Sequence, residues 1–334
     1  MKRILCSLIC LVSALSSLAD EVVIDYVGYD IDLSSKTAKV TNYYNDDISV
    51  INIPSSVTYN GAKIPVTTIG EFAFNECKNL TSITIPNSVT TIGECAFFQC
   101  KNLTSVTIPN SVTSIGRYAF SGCGITSIVI PKSLKHLEEV TFSKCPQLKS
   151  VTFTSSDIEV DKDAFYGCEN FKELIYAEGC TKIFAVIGTG GLTHVVLPST
   201  ATSIEKGAFE GENITSIVIP ASVTHIGDYA FSECESLKTV TMPNSVISIG
   251  EGAFWDCKAL VSVSVSGGTT NSNNDGIGIG KYAFWRCSSL KTFAVPASIK
   301  RIGESAFHDC TGLTSVTIPN PNATIAQFAF YNCM

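Results

Sequence analysis

The chain has 334 residues and a formal net charge of −7, and 45% of its residues are apolar, 9% aromatic and 16% charged. This composition excludes an intrinsically disordered chain, a collagen and a coiled coil. The acidic balance, without any basic stripe, argues against a nucleic-acid-binding protein. Beyond residue 20 no apolar run reaches the ~20 residues that a transmembrane helix needs, so no membrane span is predicted.

The first segment, residues 1–19, has the pattern of a secretory signal peptide. Two basic residues precede an apolar stretch from Ile4 to Leu18, and small residues before and at Ala19 are typical of a cleavage site. The stretch is too short and wrongly flanked for a transmembrane helix. We therefore predict cleavage near Ala19 and a protein that is secreted or held at the cell surface.

Residues 20–60 contain segments that alternate between apolar and polar side chains, such as Val22–Tyr26 and Ala38–Tyr43. This alternation is typical of short strands. Repeat arrays need atypical terminal units that keep the apolar end of their core away from water. Since about forty residues are too few for an independent core, the segment is predicted to be a strand-rich N-terminal cap.

A 23-residue period dominates residues 61–334. The dipeptide Ile-Gly begins at residues 69, 92 and 115, and a phenylalanine follows each pair at residues 74, 97 and 120. The same phenylalanine continues at residues 142, 165, 209, 231, 254, 284, 307 and 330. The interval between the phenylalanines at 165 and 209 is about two periods long and contains a degenerate repeat at about 175–197. The interval between those at 254 and 284 is longer than one period and contains an insertion at 267–276. The period predicts about twelve repeats.

One repeat, residues 103–123, shows how the unit is expected to fold. A period of two places Val106 and Ile108 on one face of a strand, with Ser105 and Thr107 on the other. A proline then ends the ladder pairing, and Gly116 is interpreted as the turn before a short helical Ala-Phe segment. The predicted core positions are Leu103, Val106, Ile108, Val112, Ile115, Ala119, Phe120 and Cys123.

Each unit has an apolar side that it cannot bury alone. Stacking the units about 4.8 Å apart joins their strands and makes one continuous core. The sequence therefore predicts an α/β solenoid with one long parallel β-sheet.

The repeated motif I-G-x-x-A-F-x-x-C-x-x-L-x-x-V-x-I-P-x-S-V-T, present from Val57 to Cys333, resembles the BspA-like leucine-rich repeats of secreted and surface proteins. The resemblance implies a leucine-rich repeat fold wound as a right-handed superhelix. It also implies a non-enzymatic protein that mediates protein binding, or adhesion to host matrix proteins or other cells.

Ten cysteines follow the repeat, while Cys95 and Cys180 fall outside it. Zinc sites need clustered ligands, and no C-x-x-C pair occurs, so no metal is predicted. Stacked cysteines would lie about 5 Å apart, a separation that disulfides allow. Buried free thiols that pack as compact hydrophobes are the simpler interpretation.

Catalytic patterns do not stand out among the remaining residues. No nucleophile-elbow or H-E-x-x-H motif accompanies the four histidines. The segment Gly276–Gly280 lacks the G-x-G-x-x-G spacing of a phosphate-binding loop. We therefore expect no enzyme activity and no cofactor.

The sheet face opposite the core is the first candidate binding surface. Solenoids present such extended, concave faces to partners, although short hydroxyls and valines also suit any exposed strand. The candidate residues are Ser105, Thr107, Ser127, Val129, Ser150, Thr152, His194, Ser216, Val218, Thr239 and Thr241.

The second candidate surface is an aromatic stripe in the position that follows each repeat phenylalanine. In successive repeats this position holds Trp255, Trp285, His308 and Tyr331. Such a stripe can stack sugars or anchor a protein partner, or its rings can simply pack across neighbouring repeats. A glycan-binding module is therefore the alternative function, and the expected partner is an extracellular protein or glycan.

Overall fold

A computed structural model describes residues 20–45, 47–161, 163–186, 191–265 and 278–333. Within these ranges the chain forms a β-solenoid of about ten turns and contains no helix. The predicted signal peptide and the predicted insertion at 267–276 lie outside the described residues.

Antiparallel strands form the N-terminal region. The strands Asp20–Ile24, Val27–Asp32 and Thr37–Tyr43 pair in chain order, and the third pairs in parallel with Ala62–Ile69. A hairpin joins Ser56–Tyr59 to Ala62–Ile69. The buried side chains of the first strands, which join the core of the solenoid, are Val27, Tyr29, Ile31, Ala38 and Val40. The cap role of residues 20–60 stays a prediction.

Parallel strands from successive coils form a sheet that we call the face sheet. Its strands are Val50–Asn52, Ser82–Thr84, Ser105–Val106, Ser127–Ile130, Ser150–Phe153, Glu173–Tyr176, His194–Val196, Ser216–Val218, Thr239–Met242, Ser262–Val265, Thr292–Ala294 and Ser315–Thr317. They are joined in three hydrogen-bonded runs of three, four and five strands. The break before Ser216–Val218 follows the degenerate repeat.

A second parallel ladder runs through the same coils. It begins with Ala62–Ile69 and continues with Thr91–Ile92, Ser114–Ile115, His136–Leu137, Glu159–Val160, Lys182–Ile183, Ser203–Ile204, His225–Ile226, Ser248–Ile249, Arg301–Ile302 and Thr324–Ile325. Ile279 bridges Ile249 and Ile302. The single long sheet of the prediction is thus two ladders, because each coil pairs with its neighbours at two places.

The segment around each Ala-Phe pair, here called the turn segment, is a stack of β-turns. Ala96 N–H donates to Gly93 O within the coil (3.3 Å), but Phe97 N–H donates to Ala119 O of the next coil (2.8 Å). Gln99 has a φ of 58°, in the left-handed region that a right-handed helix excludes. Since alternate donors are used between coils, the helical prediction is wrong, and β-solenoid replaces the α/β class.

The predicted count of twelve repeats is not confirmed by a solenoid of about ten turns. The degenerate repeat at 175–197 lies partly outside the described residues, which omit 187–190. Within the described part of the chain, the coil of Phe330 contributes no strand to the face sheet.

The predicted core positions of repeat 103–123 are confirmed. All are buried except Val106, which is partly buried and packs against the core. The repeat phenylalanines stack across coils, with ring centroids 5.2 Å apart for Phe74 and Phe97 and 5.0 Å apart for Phe97 and Phe120. Similar stacking continues from Phe209 to Phe330. The coils thus share an aromatic spine interrupted only around the degenerate repeat.

The ladder cysteines donate to the carbonyl groups of the preceding coil. Cys100 Sγ lies 3.0 Å from Phe74 O, and Cys257 Sγ lies 3.1 Å from Phe231 O. All twelve described cysteines are free. This arrangement agrees with the interpretation of the ladder cysteines as thiols packed in the core, and it gives those from Cys100 onward a specific acceptor.

The glycine of the Ile-Gly pair allows neighbouring coils to approach each other. Gly116 does not have a left-handed φ, and its carbonyl accepts a hydrogen bond from Ala119 N–H (3.2 Å), so it is the first residue of the β-turn that precedes Phe120. A Cβ atom on Gly116 would lie 2.6 Å from Glu94 N of the preceding coil, and one on Gly93 would lie 2.6 Å from Glu71 N. A side chain there would force the coils apart.

Candidate functional site

The face sheet directs alternate side chains away from the core. In the strand Ser127–Ile130, Ile128 and Ile130 are buried, whereas Ser127 and Val129 are exposed. The parallel register aligns equivalent positions of neighbouring strands. The outward side chains therefore form two rows that cross the strands.

The eleven predicted face residues all lie on this outward side. The exposed ones are Ser105, Thr107, Ser127, Val129, His194, Ser216, Val218 and Thr239, and the half-buried ones are Ser150, Thr152 and Thr241. The structure therefore places the first candidate surface on one side of the face sheet, across its three hydrogen-bonded runs.

One of the two rows is largely apolar. Val129 aligns with Thr152, Thr152 with Ile175, and Ile175 with Val196. The exposed fractions of Val129 and Val196 are 52% and 38%. At ~4.8 Å between strands the row is about 15 Å long. Covering exposed aliphatic side chains is favourable, so this row, which we call the apolar row, is suited to a partner.

The neighbouring row is polar and contains a carboxylate beside an imidazole. Ser127 aligns with Ser150, Ser150 with Glu173, and Glu173 with His194. Glu173 Oε1 lies 3.9 Å from His194 Nε2. The apolar row is thus bordered by groups that can donate and accept hydrogen bonds.

Sequence reasoning missed the strand that carries Glu173 and Ile175. Its repeat begins with Phe171 where others have leucine, and it adjoins the degenerate repeat. The alternation of Glu173, Leu174 and Ile175 was the signal that could have placed both residues on the face. With them the two rows cross four strands without a gap.

Hydroxyl groups on the face differ from those at the coil corners. At the corners, Thr113 Oγ1 donates to Thr90 O, and Thr224 Oγ1 donates to Thr202 O, each at 3.3 Å. No hydrogen bond to another described residue is made by the side-chain hydroxyls of Ser105, Thr107, Ser127, Ser150, Thr152, Ser216, Thr239 and Thr241. The corner hydroxyls join coils, whereas the face hydroxyls are available to a partner.

The predicted aromatic stripe also comes together. The rings of Trp255 and Trp285 stack 5.3 Å apart at 16°, and those of His308 and Tyr331 stack 4.9 Å apart at 28°. Trp285 and His308 meet edge to face at 5.8 Å. The four rings form a continuous pile along the turn segments.

A second column of aromatic rings flanks this pile. Tyr229 lies 6.2 Å from Trp255, Tyr282 lies 4.9 Å from Trp285, and Phe328 lies 5.9 Å from Tyr331. Sequence reasoning missed this column. The sequence does indicate it, because an aromatic residue recurs in several repeats two positions before the repeat phenylalanine.

Asp309 contacts the side chains of the aromatic stripe in its C-terminal part and holds them in place. Asn332 Nδ2 donates to Asp309 Oδ1 (2.6 Å), and Trp285 Nε1 donates to Asp309 Oδ2 (3.3 Å). His308 Nδ1 lies 3.2 Å from the same Oδ2. The hydrogen bond from Asn332 is the main cause that lowers the pKa of Asp309. The rings are therefore held by specific contacts within the protein.

This geometry disfavours sugar stacking on the tryptophans. A sugar packs on an open ring face, yet Trp255 and Trp285 cover one another, and both side chains are only partly exposed. The stripe is better interpreted as packing between coils than as a glycan platform.

The described residues contain no group of three or more side chains that could hold a metal ion. They also contain no helix that is long and apolar enough to cross a membrane.

Comparisons with known proteins match this architecture. The family model of the BspA type leucine rich repeat region matches residues 67–186, 184–278 and 277–334, with six copies. No curated protein matches the chain.

Solved bacterial structures resemble the chain over most of its length. A leucine-rich repeat protein from Bacteroides ovatus is 25% identical with a TM-score of 0.51, and the match covers 94% of this chain and 92% of that one. A leucine-rich cell surface protein from Faecalibacterium prausnitzii is 28% identical with a TM-score of 0.40, covering 91% and 96%. A leucine-rich repeat protein from Eubacterium ventriosum is 22% identical with a TM-score of 0.41, covering 93% and 87%.

Proposed function

Because the chain belongs to the BspA-type leucine-rich repeat family, we propose that it is a non-enzymatic module that binds an extracellular protein through its face sheet. The observation that carries this proposal is the apolar row, which lies beside a polar row and among hydroxyls without partners in the described chain. Adhesion to host matrix proteins or to other cells is the role that we assign to this binding.

The rigidity of the face supports binding by many weak contacts. Its strands are held in register by backbone hydrogen bonds, and their inward side chains are buried in the core. A partner therefore loses little free energy in ordering the surface that it covers. The exposed valines provide apolar area for a partner to cover, and the hydroxyls provide hydrogen bonds that orient the partner.

The location outside the cell is part of the proposal. Residues 1–19 have the pattern of a signal peptide, and the similar protein from Faecalibacterium prausnitzii is described as a cell surface protein. We propose that the chain is exported, that cleavage occurs near Ala19, and that residues 20–60 cap the array.

Charge on the apolar row is expected to weaken binding. A chain that begins at residue 20 is screened by biolayer interferometry against fibronectin, laminin, collagen and fibrinogen. For the protein that binds, Val129→Glu combined with Val196→Glu is expected to weaken the affinity by tenfold or more, about 1.4 kcal/mol, because two charges would be desolvated without a partner.

The matched control is Val23→Glu, at a strand position in the N-terminal region that is 56% exposed. It is expected to leave the affinity unchanged, and the far-UV circular dichroism of all variants to match that of the parent. Equal affinities for the control and the double variant would overturn the face-sheet proposal.

A glycan array with the same chain tests the alternative function. Glycan binding that disappears in Trp255→Ala combined with Trp285→Ala would favour the glycan module and contradict the proposal. Turnover of a bound glycan or protein would contradict the non-enzymatic assignment.

A further inference from the structure

The aromatic stripe has a gap in the N-terminal half of the solenoid. The position after the repeat phenylalanine holds Phe98, Ser121, Ser143 and Tyr166 in four successive coils. The two serines leave a cleft of about 320 Å³ between the flanking rings. In the C-terminal half, the same position is filled by four stacked rings.

The hydroxyl groups at the floor of this cleft already have hydrogen-bond partners within the protein. Ser121 and Ser143 are each 2% exposed. Ser143 Oγ lies 2.9 Å from Ser121 Oγ and 2.9 Å from Val140 O, so the two hydroxyls are engaged with each other and with the backbone. The floor therefore presents a small, satisfied surface to an occupant.

The walls of the cleft are mainly aromatic and aliphatic. Phe98 and Tyr118 meet edge to face, with centroids 6.2 Å apart. Tyr166 is 55% exposed. Val140 completes the wall with a φ of 57°, a conformation that costs energy for a β-branched residue. Gln99 also lines the cleft and adds one amide. The rest of the wall would place most hydroxyls of a sugar against rings and methyl groups, where they would lack partners.

One charge borders the cleft. Among the described residues that line the cleft, Lys144 is the only one with a charged side chain. It is exposed, and it forms no ion pair with a described residue. An occupant with a carboxylate beside its apolar part therefore has a complementary charge at the rim.

We propose that this cleft, here called the turn cleft, binds an aromatic side chain of a partner protein that has a neighbouring acidic residue. The ring would continue the stack that the chain's own aromatic residues form at 4.9–5.8 Å in the other half. The acidic residue would pair with Lys144. This site is separate from the face sheet and does not depend on the face-sheet proposal.

The test uses two blocked tripeptides, Asp-Trp-Asp and Lys-Trp-Lys, titrated into the chain that begins at residue 20. Binding is followed by saturation-transfer NMR on the indole protons. The acidic peptide is expected to bind with a Kd of about 1 mM, and the basic peptide at least about tenfold more weakly, because Lys144 repels it.

Two variants locate the binding. Ser143→Trp fills the cleft and is expected to abolish binding of the acidic peptide, whereas Ser232→Trp, at the equivalent buried serine of another coil, is expected to leave it unchanged. Lys144→Glu changes an exposed side chain without affecting folding, and it is expected to make the basic peptide bind more tightly than the acidic one. Its control, Lys101→Glu, is expected to leave the preference for the acidic peptide unchanged.

Peptide binding that survives both Ser143→Trp and Lys144→Glu would overturn the proposal. So would displacement of the peptide by a neutral oligosaccharide such as maltoheptaose, which would indicate a sugar site. Val129→Glu combined with Val196→Glu is expected to leave peptide binding intact, so failure of the face-sheet proposal can be distinguished from failure of this one.

Discussion

Replacing Phe120 by alanine is expected to lower the free energy of unfolding by about 3–5 kcal/mol. Phe120 is fully buried, and its ring stacks between Phe97 at 5.0 Å and Phe142 at 5.2 Å. The substitution removes a large apolar group and two aromatic contacts, each worth about 0.5–1.5 kcal/mol beyond the buried area. Neighbouring coils on both sides then lose contact at once, because each coil of a solenoid is stabilised by its neighbours.

Urea denaturation followed by far-UV circular dichroism measures this loss. The control is Phe72→Ala, at a phenylalanine of the turn segment that is 53% exposed and is expected to cost less than about 1 kcal/mol. A similar loss in both variants would show that the stacked spine does not stabilise the solenoid.

Raising the pH above 9 is expected to destabilise the protein steeply. Burial raises the pKa of Cys234 and of Cys287 above the ordinary value of 9.0. At a pH between 9.0 and the raised pKa of the native thiols, the unfolded thiols release protons that the native thiols retain. The stabilisation is therefore complete below pH 9 and is lost as the pH rises, by up to about 1.4 kcal/mol per pH unit for each such thiol. Burial also raises the pKa of Tyr29 to about 12, which adds to the loss above pH 10.

Urea denaturation at several pH values between 7 and 10.5, with a reducing agent present, measures this dependence. Cys234→Ala combined with Cys287→Ala is expected to be less stable at pH 7, because it leaves cavities, but to lose less stability between pH 9 and pH 10.5. The pH range from 7 to 8 serves as the internal control, where the two proteins should show parallel profiles. Parallel profiles up to pH 10.5 would contradict the burial of these thiols.

The period of the sequence was sufficient to predict the core. Phe120, Cys123 and Leu103 recur at fixed spacing, and only stacked coils bury all three in every repeat. The backbone of the turn segment could not be predicted in this way. Tyr118 and Gln99 adopt φ values of 56° and 58°, which their side chains do not favour. Hydrogen bonding to the next coil imposes this conformation, and no local propensity reveals it.

The candidate surfaces were predicted to different degrees. Alternation in the strands was enough to place Ser105 and Val129 on the outward side. The continuity of the apolar row depends on the register of Ile175, which follows from pairing between coils. The mutual covering of Trp255 and Trp285 depends on ring orientation, which a sequence does not contain.

The turn cleft illustrates the same limit. The sequence shows Ser121 and Ser143 between two aromatic residues of the same position. It does not show that the rings of Phe98 and Tyr166 leave space between them, because a neighbouring side chain could have filled it. Small residues in a repeated bulky position are nevertheless a signal that can be sought in other repeat arrays.

Thiol accessibility tests most directly that the stacked coils share one closed core. Iodoacetamide is applied to the chain that begins at residue 20, and modified cysteines are identified by mass spectrometry. We expect native labelling only at Cys95 and Cys333, the two of the twelve cysteines that are not buried, and labelling of all twelve in guanidinium chloride without a reducing agent. Native labelling of Cys123 or Cys257 as fast as that of Cys95, or fewer than twelve reactive thiols after unfolding, would contradict the account.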